Sequence, residues 1–224
     1  MAKLKRIIKK KSEKHLIDEF ISHLKIFFRK SVSLNKRFSF VLTGGSSPIN
    51  LYKSLSKAKI DWKNIDLFWG DERFVSSKSN SSNYNLVKKH LLNKINIKNK
   101  NIYKINTNKK NASSSAIDYE NKIKSYFKNK KISFDLILLG MGLDGHIASL
   151  FPNNIKLNKS KVVSTIIRED FERVTLNIKT INNSKQIALW LNDKKTSTVY
   201  QKIKNNKKIP VNYLNKKKLI IFSL

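Results

Sequence analysis

The chain has 224 residues and no cysteine, and its 47 Lys and Arg against 15 Asp and Glu give a formal net charge of +32. The lack of cysteine excludes disulfides and thiolate metal sites, and no segment approaches the ~20 apolar residues of a membrane span. This length predicts a single domain over residues 1–224 with a substantial core. The basic N-terminus lacks the apolar stretch and cleavage site of a signal peptide, so we expect a cytoplasmic protein.

The positive charge raises the question of a nucleic-acid partner, because a sequence pI of about 10.3 is typical of such proteins. The lysines, however, are spread over nearly every predicted helix and loop, often beside asparagine. No zinc-finger spacing, RNA-recognition strand motif or helix-turn-helix accompanies them. We therefore predict a solvated basic surface without a specific nucleic-acid or membrane partner. Its field would also steer an anionic small substrate.

The spacing of apolar residues predicts helices and short strands alternating along the chain. Continuous apolar strands without polar alternation are typical of a parallel sheet buried on both faces. We expect an α/β fold, a three-layer Rossmann-like sandwich whose mostly parallel central sheet is flanked by helices. The predicted elements are helix 12–30, strand Phe38–Leu42, a helix from Pro48, strand Leu67–Trp69, a helix from Asn83, strand Ile102–Ile105, a helix through 116–127, strand Leu136–Leu139, strands 162–167, 174–178 and 187–191, a helix from Lys195 and strand Leu219–Phe222.

A turn of small residues, TGGSSP at 43–48, follows the first predicted strand. Ser47 is the expected N-cap of the next helix and Pro48 its first residue. The backbone amides of Gly44 and Gly45 then lie just before a helix start, an arrangement that attracts anions. Taken alone, the turn is slightly more typical of an ordinary capped connection between a strand and a helix. It matches neither the dinucleotide fingerprint nor a Walker loop, so it implies no nucleotide.

Three charged residues, Asp71, Glu72 and Arg73, follow the buried-type strand Leu67–Trp69. If the sheet is parallel, they lie at the edge where ligands bind in open α/β folds. Arg73 can form a two-pronged contact with a phosphate, and a neighbouring carboxylate can orient it or a substrate hydroxyl. The alternative is a surface turn with an internal ion pair. The polar loop at 76–82 is expected to be flexible and able to close over a site.

The most informative stretch is the glycine-rich turn at 140–146, which follows the strand Leu136–Leu139. Its three glycines allow the backbone to turn sharply and to approach a ligand closely. Asp144 and His146 lie inside this turn, at the carboxyl end of the strand. A histidine titrates near neutral pH, so His146 can act as a general base there. The alternative is that His146 is simply a surface residue of a loop.

Taken together and in this order, these segments resemble the 6-phosphogluconolactonase family. TGGSSP at 43–48 is similar to its Ser-Gly-Gly-Ser-Thr-Pro turn, WGDERFV at 69–75 with SNY at 82–84 resembles its second motif, and 140–152 resembles its third motif almost residue for residue. ERVTL at 172–176 resembles a later strand start of the family. The resemblance covers residues 12–222.

The resemblance implies hydrolysis of 6-phospho-D-glucono-1,5-lactone to 6-phospho-D-gluconate in the oxidative pentose phosphate pathway. His146 would be the general base that activates water, and Asp144 would help to position the site. No metal or organic cofactor is implied, and the partner is the small sugar-phosphate lactone. The residues that would bind this substrate and its phosphate are Gly44, Gly45, Ser46, Ser47, Asp71, Arg73 and Lys195.

Ile147 departs from the family pattern, because most of these lactonases carry Thr there. The related glucosamine-6-phosphate deaminases have Asp-Gly-His-Ile-Ala in this turn, but then continue Phe-Asn-Glu-Pro. Here SLFP at 149–152 follows, which favours the lactonase. A third alternative is a catalytically inactive, basic polyanion-binding protein that keeps the sugar-phosphate fold. The sequence predicts no oligomeric state.

Overall fold

The computed structural model describes residues 6–34, 36–152, 161–206 and 208–224. Its helices are α1 (Glu13–Val32), α2 (Ile49–Leu55), α3 (Asn83–His90), α4 (Ala112–Tyr126), α5 (Ile178–Asn183) and α6 (Lys194–Ile203). Its strands are β1 (Arg6–Lys9), β2 (Phe38–Leu42), β3 (Ile65–Trp69), β4 (Asp71–Arg73), β5 (Ile102–Tyr103), β6 (Leu136–Leu139), β7 (Val163–Ile166), β8 (Arg173–Leu176), β9 (Gln186–Leu191) and β10 (Leu219–Ser223).

Among the described residues the main sheet has seven strands, in the order β1-β10-β9-β6-β2-β3-β5. Every neighbouring pair is parallel, with Leu42 opposite Trp69 and Leu139 opposite Leu189. Each residue of β2, β3, β6 and β10 is buried. Helices cover the sheet, which explains why these strands are continuous apolar runs rather than alternating ones. The predicted α/β fold with a mostly parallel central sheet is confirmed.

A second, antiparallel sheet in the order β4-β8-β7 lies beside the main one. Its register places Asp71 opposite Thr175 and Arg73 opposite Arg173. The charged β4 was not predicted as a strand, because three charged residues in succession have no strand pattern of their own. Its pairing with β8 fixes the backbone that carries Asp71 and Arg73.

Other element boundaries also differ from the sequence-based predictions. The basic N-terminus contains an unpredicted strand, β1, which pairs with β10, while residues 1–5 lie outside the described residues. The strand predicted at 102–105 stops at Tyr103, and the one predicted at 174–178 stops at Leu176, because helix α5 begins two residues later. Helix α6 begins one residue before Lys195 and is capped by Asp193, whose carboxylate accepts a 2.8 Å hydrogen bond from the Thr196 amide.

The topology determines where a ligand cleft can form. From β2 the chain proceeds outward to β3 and β5, and then returns to place β6 on the other side of β2. The strand order therefore reverses between β2 and β6, and a crevice opens at the carboxyl ends of the strands at such a point. Nearly all of the buried apolar side chains form one hydrophobic cluster around this sheet. The organisation as a single domain remains a prediction. In the described part of the chain, no helix is long and apolar enough to span a bilayer.

Candidate active site

A cleft of about 290 Å³ lies at the carboxyl ends of four adjacent strands, β9, β6, β2 and β3. Because these strands are parallel, the segments that follow them meet at one edge. The cleft is lined by residues 43–47 after β2, by 71 and 73 in β4, by parts of 140–148 after β6, and by Arg173, Asp193 and Thr196. Three segments distant along the sequence therefore share one cleft: the turn at 43–48, Asp71 and Arg73 of β4, and the glycine-rich turn at 140–146, called the histidine turn below.

His146 is oriented in this cleft by Asp144. The imidazole Nδ1 lies 2.6 Å from Asp144 Oδ1, and the same oxygen accepts the His146 backbone N–H at 3.1 Å. Burial acts to raise the pKa of Asp144, but these hydrogen bonds and the charge of His146 outweigh it and hold that pKa below its ordinary value. An ionised Asp144 accepts a hydrogen bond from the Nδ1–H group, which leaves Nε2 of the neutral imidazole as the nitrogen with a free lone pair. Asp144 contacts His146 but does not itself line the cleft.

The histidine turn requires glycine at two positions for different reasons. The imidazole lies so close to Gly142 that a Cβ there would be 2.1 Å from its Cε1 atom. Gly145 has φ +80°, a left-handed conformation, and a Cβ there would meet Ile209 Cγ2 at 2.2 Å. Backbone hydrogen bonds of 2.9 Å from Gly142 N to His146 O and from Gly145 N to Gly142 O close the turn. Gly142 thus makes room for the base, and Gly145 makes room for the segment packed behind it.

The small-residue turn after β2 is joined to β4 by Asn83, the first residue of α3. A Cβ at position 44 would lie 1.8 Å from Asn83 Oδ1, so only glycine fits there. The Asn83 Nδ2 donates to the Asp71 carbonyl at 3.0 Å and to its Oδ1 at 3.2 Å. Gly45 has φ +78°, which glycine adopts without strain. Asn83 lines the cleft, and sequence reasoning did not select it.

The prediction that Ser47 caps helix α2 is wrong. Pro48 occupies the N-cap position, and the Ser47 hydroxyl instead donates to Asn192 Oδ1, just after β9. Asn192 in turn donates from Nδ2 to Glu13 at 2.7 Å. The Ser47 hydroxyl therefore bonds to a residue distant in sequence rather than to the first turn of α2. Ser46 and Ser47 still line the cleft, and their role in substrate binding remains a prediction.

Two arginines line the cleft from the second sheet. Arg73 donates from Nη1 to the Ser81 carbonyl at 2.8 Å, and Arg173 pairs through Nη2 with Asp170. The Nε atom of each is buried and has no hydrogen-bond partner among the described residues. Donors of this kind are suited to an anionic ligand. Arg173 was not predicted as a site residue. The signal that could have found it is its place in the segment ERVTL.

Asp71 and Glu72 have different surroundings, although they are adjacent. Asp71 lines the cleft and accepts a 2.6 Å hydrogen bond from the buried Ser149 hydroxyl. Glu72 is buried outside the cleft lining, and its carboxylate accepts the backbone N–H groups of Asn83 and Tyr84 at 2.7 Å each. Burial raises the pKa of Glu72 to about 7, although these hydrogen bonds act to lower it. Glu72 thereby holds the start of α3 against β4.

The structure leaves Lys195 outside the cleft lining. It is an exposed residue in the first turn of α6, while Asp193 and Thr196 of the same turn line the cleft. The Asp193 cap sets the rotation of this turn, and position 195 consequently faces elsewhere. Within the described residues, no group of three or more His, Asp and Glu side chains is arranged to hold a metal ion.

The fold and the cleft define an α/β protein with an open cleft, lined by two arginines and a histidine, at the switch point of a parallel sheet. Comparison with known proteins agrees with this class. The model of the family described as glucosamine-6-phosphate isomerases/6-phosphogluconolactonase matches residues 11–221, and the chain belongs to this family.

Its relatives are named as lactonases. A 6-phosphogluconolactonase of Synechocystis is 33% identical over 163 residues, which are 71% of this chain and 68% of the relative. A probable 6-phosphogluconolactonase 2 of Oryza sativa subsp. indica is 34% identical over 84% of this chain and 72% of the relative. The solved 6-phosphogluconolactonase of Thermotoga maritima superposes with a TM-score of 0.85 at 25% identity, covering 96% of this chain and 97% of that one. The predicted family is confirmed.

Proposed function

We propose that this protein hydrolyses 6-phospho-D-glucono-1,5-lactone to 6-phospho-D-gluconate, with His146 as the general base. The observation that carries the proposal is the cleft in which the His146 imidazole, oriented by Asp144, lies together with Arg73 and Arg173. An oriented base beside two cationic groups suits an ester that carries a phosphate. The names of the relatives support the same reaction. A cytoplasmic location and the lack of a specific nucleic-acid partner remain predictions from the sequence.

The reaction requires no covalent intermediate. Nε2 of His146 takes a proton from water as the water oxygen bonds to the lactone carbonyl carbon. The resulting tetrahedral species collapses by breaking the bond to the ring oxygen, which receives the proton from the imidazolium and becomes a hydroxyl. Ser149 is a poor nucleophile, because its hydroxyl is fully buried and donates to Asp71 at 2.6 Å. It also lacks the strained Gly-x-Ser-x-Gly turn of serine hydrolases.

The two arginines are proposed to hold the phosphate. Both line the cleft, and among the described residues the buried Nε of each has no hydrogen-bond partner, a need that a phosphate oxygen would meet. A phosphate bound by these two arginines requires the lactone ring to extend toward the turn that carries His146. The overall charge of +32 would also attract a phosphorylated substrate from solution.

Replacing His146 by Ala tests the base. We expect kcat for the lactone, corrected for spontaneous hydrolysis, to fall by roughly 10²–10⁴, the usual range for a positioned acid–base group. His15→Ala is the matched control, since His15 is an exposed residue of α1 outside the cleft. An unchanged kcat in His146→Ala would remove His146 from this role.

Replacing Arg73 by Ala tests the phosphate site. KM for the phosphorylated lactone should rise, and the preference over the unphosphorylated lactone should shrink. An unchanged preference would show that Arg73 does not bind the phosphate. Release of ammonia from glucosamine 6-phosphate would favour the deaminase instead. Salt-sensitive polyanion binding without either activity would favour the inactive binding protein.

A further inference from the structure

The imidazole of His146 has a second neighbour, the ring of Phe151. The two ring centroids are 4.5 Å apart, with the planes inclined by 38°. A tight turn brings Phe151 back to the histidine, because Leu150 N donates to Ile147 O at 2.9 Å and Ile147 N donates to Leu150 O at 3.3 Å. Phe151 is only 5% exposed, so its ring is held in place by the surrounding protein.

Phe151 also connects the histidine turn to the β7–β8 hairpin. The Arg168 guanidinium carbon lies 4.1 Å from the Phe151 ring centroid, and that of Arg173 lies 5.5 Å from it. These are cation–π distances. Asp170 on the same hairpin pairs with both arginines. The ring therefore contacts the catalytic imidazole and is itself held by two cations.

We infer that Phe151 is a positioning residue for His146, and that Arg168 supports it from the hairpin. This rests on the proposed function, in which His146 is the base. Apart from Phe151, the imidazole is held by its hydrogen bond to Asp144 and by contact with Gly142. One hydrogen bond leaves the ring free to rotate about it, and a packed aromatic ring removes that freedom. A base held in the productive orientation raises kcat without changing substrate affinity.

The guanidinium of Arg168 contacts the Phe151 ring and also pairs with Asp170 at 3.8 Å, which anchors it on the hairpin. Removing the guanidinium should loosen the ring and lower kcat by less than loss of the ring itself, with KM unchanged.

Four variants test the inference. Phe151→Leu keeps an apolar side chain but removes the ring, and should lower kcat about tenfold with KM within about twofold of wild type. Phe151→Tyr keeps the ring and should retain most of the activity. Arg168→Gln removes the cation from the ring and should lower kcat by less than Phe151→Leu does, with KM within about twofold of wild type. Phe171→Leu is the matched control: it removes a ring from the same hairpin, where the described residues show no ring contact to it, and should leave kcat unchanged.

The outcomes separate the inference from the proposed function. If the wild type does not hydrolyse the lactone, the proposed function fails. The NMR signal of the His146 Cε1–H, assigned by its loss in His146→Ala, then tests the contact itself. Loss of the Phe151 ring in Phe151→Leu must change the chemical shift of this proton, and an unchanged shift overturns the inference. With an active wild type, an unchanged kcat in Phe151→Leu overturns the inference, and so does an equal loss in Phe171→Leu. If Phe151→Leu does not fold, a wild-type kcat in Arg168→Gln overturns it.

Discussion

Replacing Gly142 by Ala probes the placement of the imidazole with a single methyl group. The added Cβ would lie 2.1 Å from His146 Cε1, 2.2 Å from Nδ1 and 2.9 Å from Asp144 Oδ1. Carbon atoms in ordinary contact are about 3.5–4.0 Å apart, so the imidazole must retreat by more than about 1 Å. That movement breaks the 2.6 Å hydrogen bond between Nδ1 and Asp144.

The expected loss is large in kcat and small in stability. A displacement of about 1 Å in a positioned catalytic group costs on the order of 10²-fold in rate. The fold should tolerate the change, because Gly142 is not among the residues with positive φ and the His146 side chain is 31% exposed. The free energy of unfolding should therefore change by no more than about 1 kcal/mol.

The assay is lactone hydrolysis corrected for the spontaneous rate, with thermal unfolding measured on the same preparations. Gly70→Ala is the matched control at the same edge of the sheet, where the nearest atom to an added Cβ is 3.5 Å away. It should retain kcat within about twofold, since it leaves the base in place. A Gly142→Ala protein that is folded and has the wild-type kcat would refute the role given to the imidazole position.

Three further predictions concern stability. Gly145→Ala combines a strained φ with a 2.2 Å contact to Ile209 and should lower the free energy of unfolding by about 2–4 kcal/mol, measured in urea; a loss below about 0.5 kcal/mol would contradict the packing. Arg37→Met leaves the buried Asp66 carboxylate without its two-pronged partner and should cost about 2–3 kcal/mol, partly recovered when Asp66→Asn is added. The pKa of Glu72 is raised from 4.5 to about 7, so the folded protein holds this proton more tightly than the unfolded chain. The contribution of this bound proton to stability is then full below about pH 4.5 and is lost as pH rises through about 7. The free energy of unfolding of Glu72→Gln, measured relative to that of wild type, should therefore rise by about 2–3 kcal/mol between pH 5 and pH 8. A difference that stays constant over this range would exclude the shifted pKa.

Local patterns predicted much of the architecture. The run Leu136–Leu139 is apolar without alternation because both faces of β6 are covered, and the same reason made β2 and β3 recognisable. Ser12 caps α1 within one residue of the predicted start. Once the strands are parallel, their carboxyl ends must meet at one edge. The meeting of the TGGSSP turn, His146 and two of the three charged residues, Asp71 and Arg73, in one cleft could therefore be expected from the sequence.

Contacts between distant segments decided what the sequence left open. Arg173 reaches the cleft only because β8 pairs with the charged β4, a pairing that neither strand encodes locally. The Ser47 hydroxyl bonds to Asn192, just after β9, instead of capping α2. Lys195 lies outside the cleft lining because the Asp193 cap sets the rotation of α6. The sequence by itself determined most of the elements, though not β1 and β4, and the edge of the sheet where the chemistry lies, since both follow from local periodicity and chain direction. Only the tertiary structure decided which side chains line the cleft and that Phe151 packs on the imidazole, because both depend on pairings between residues far apart in the chain.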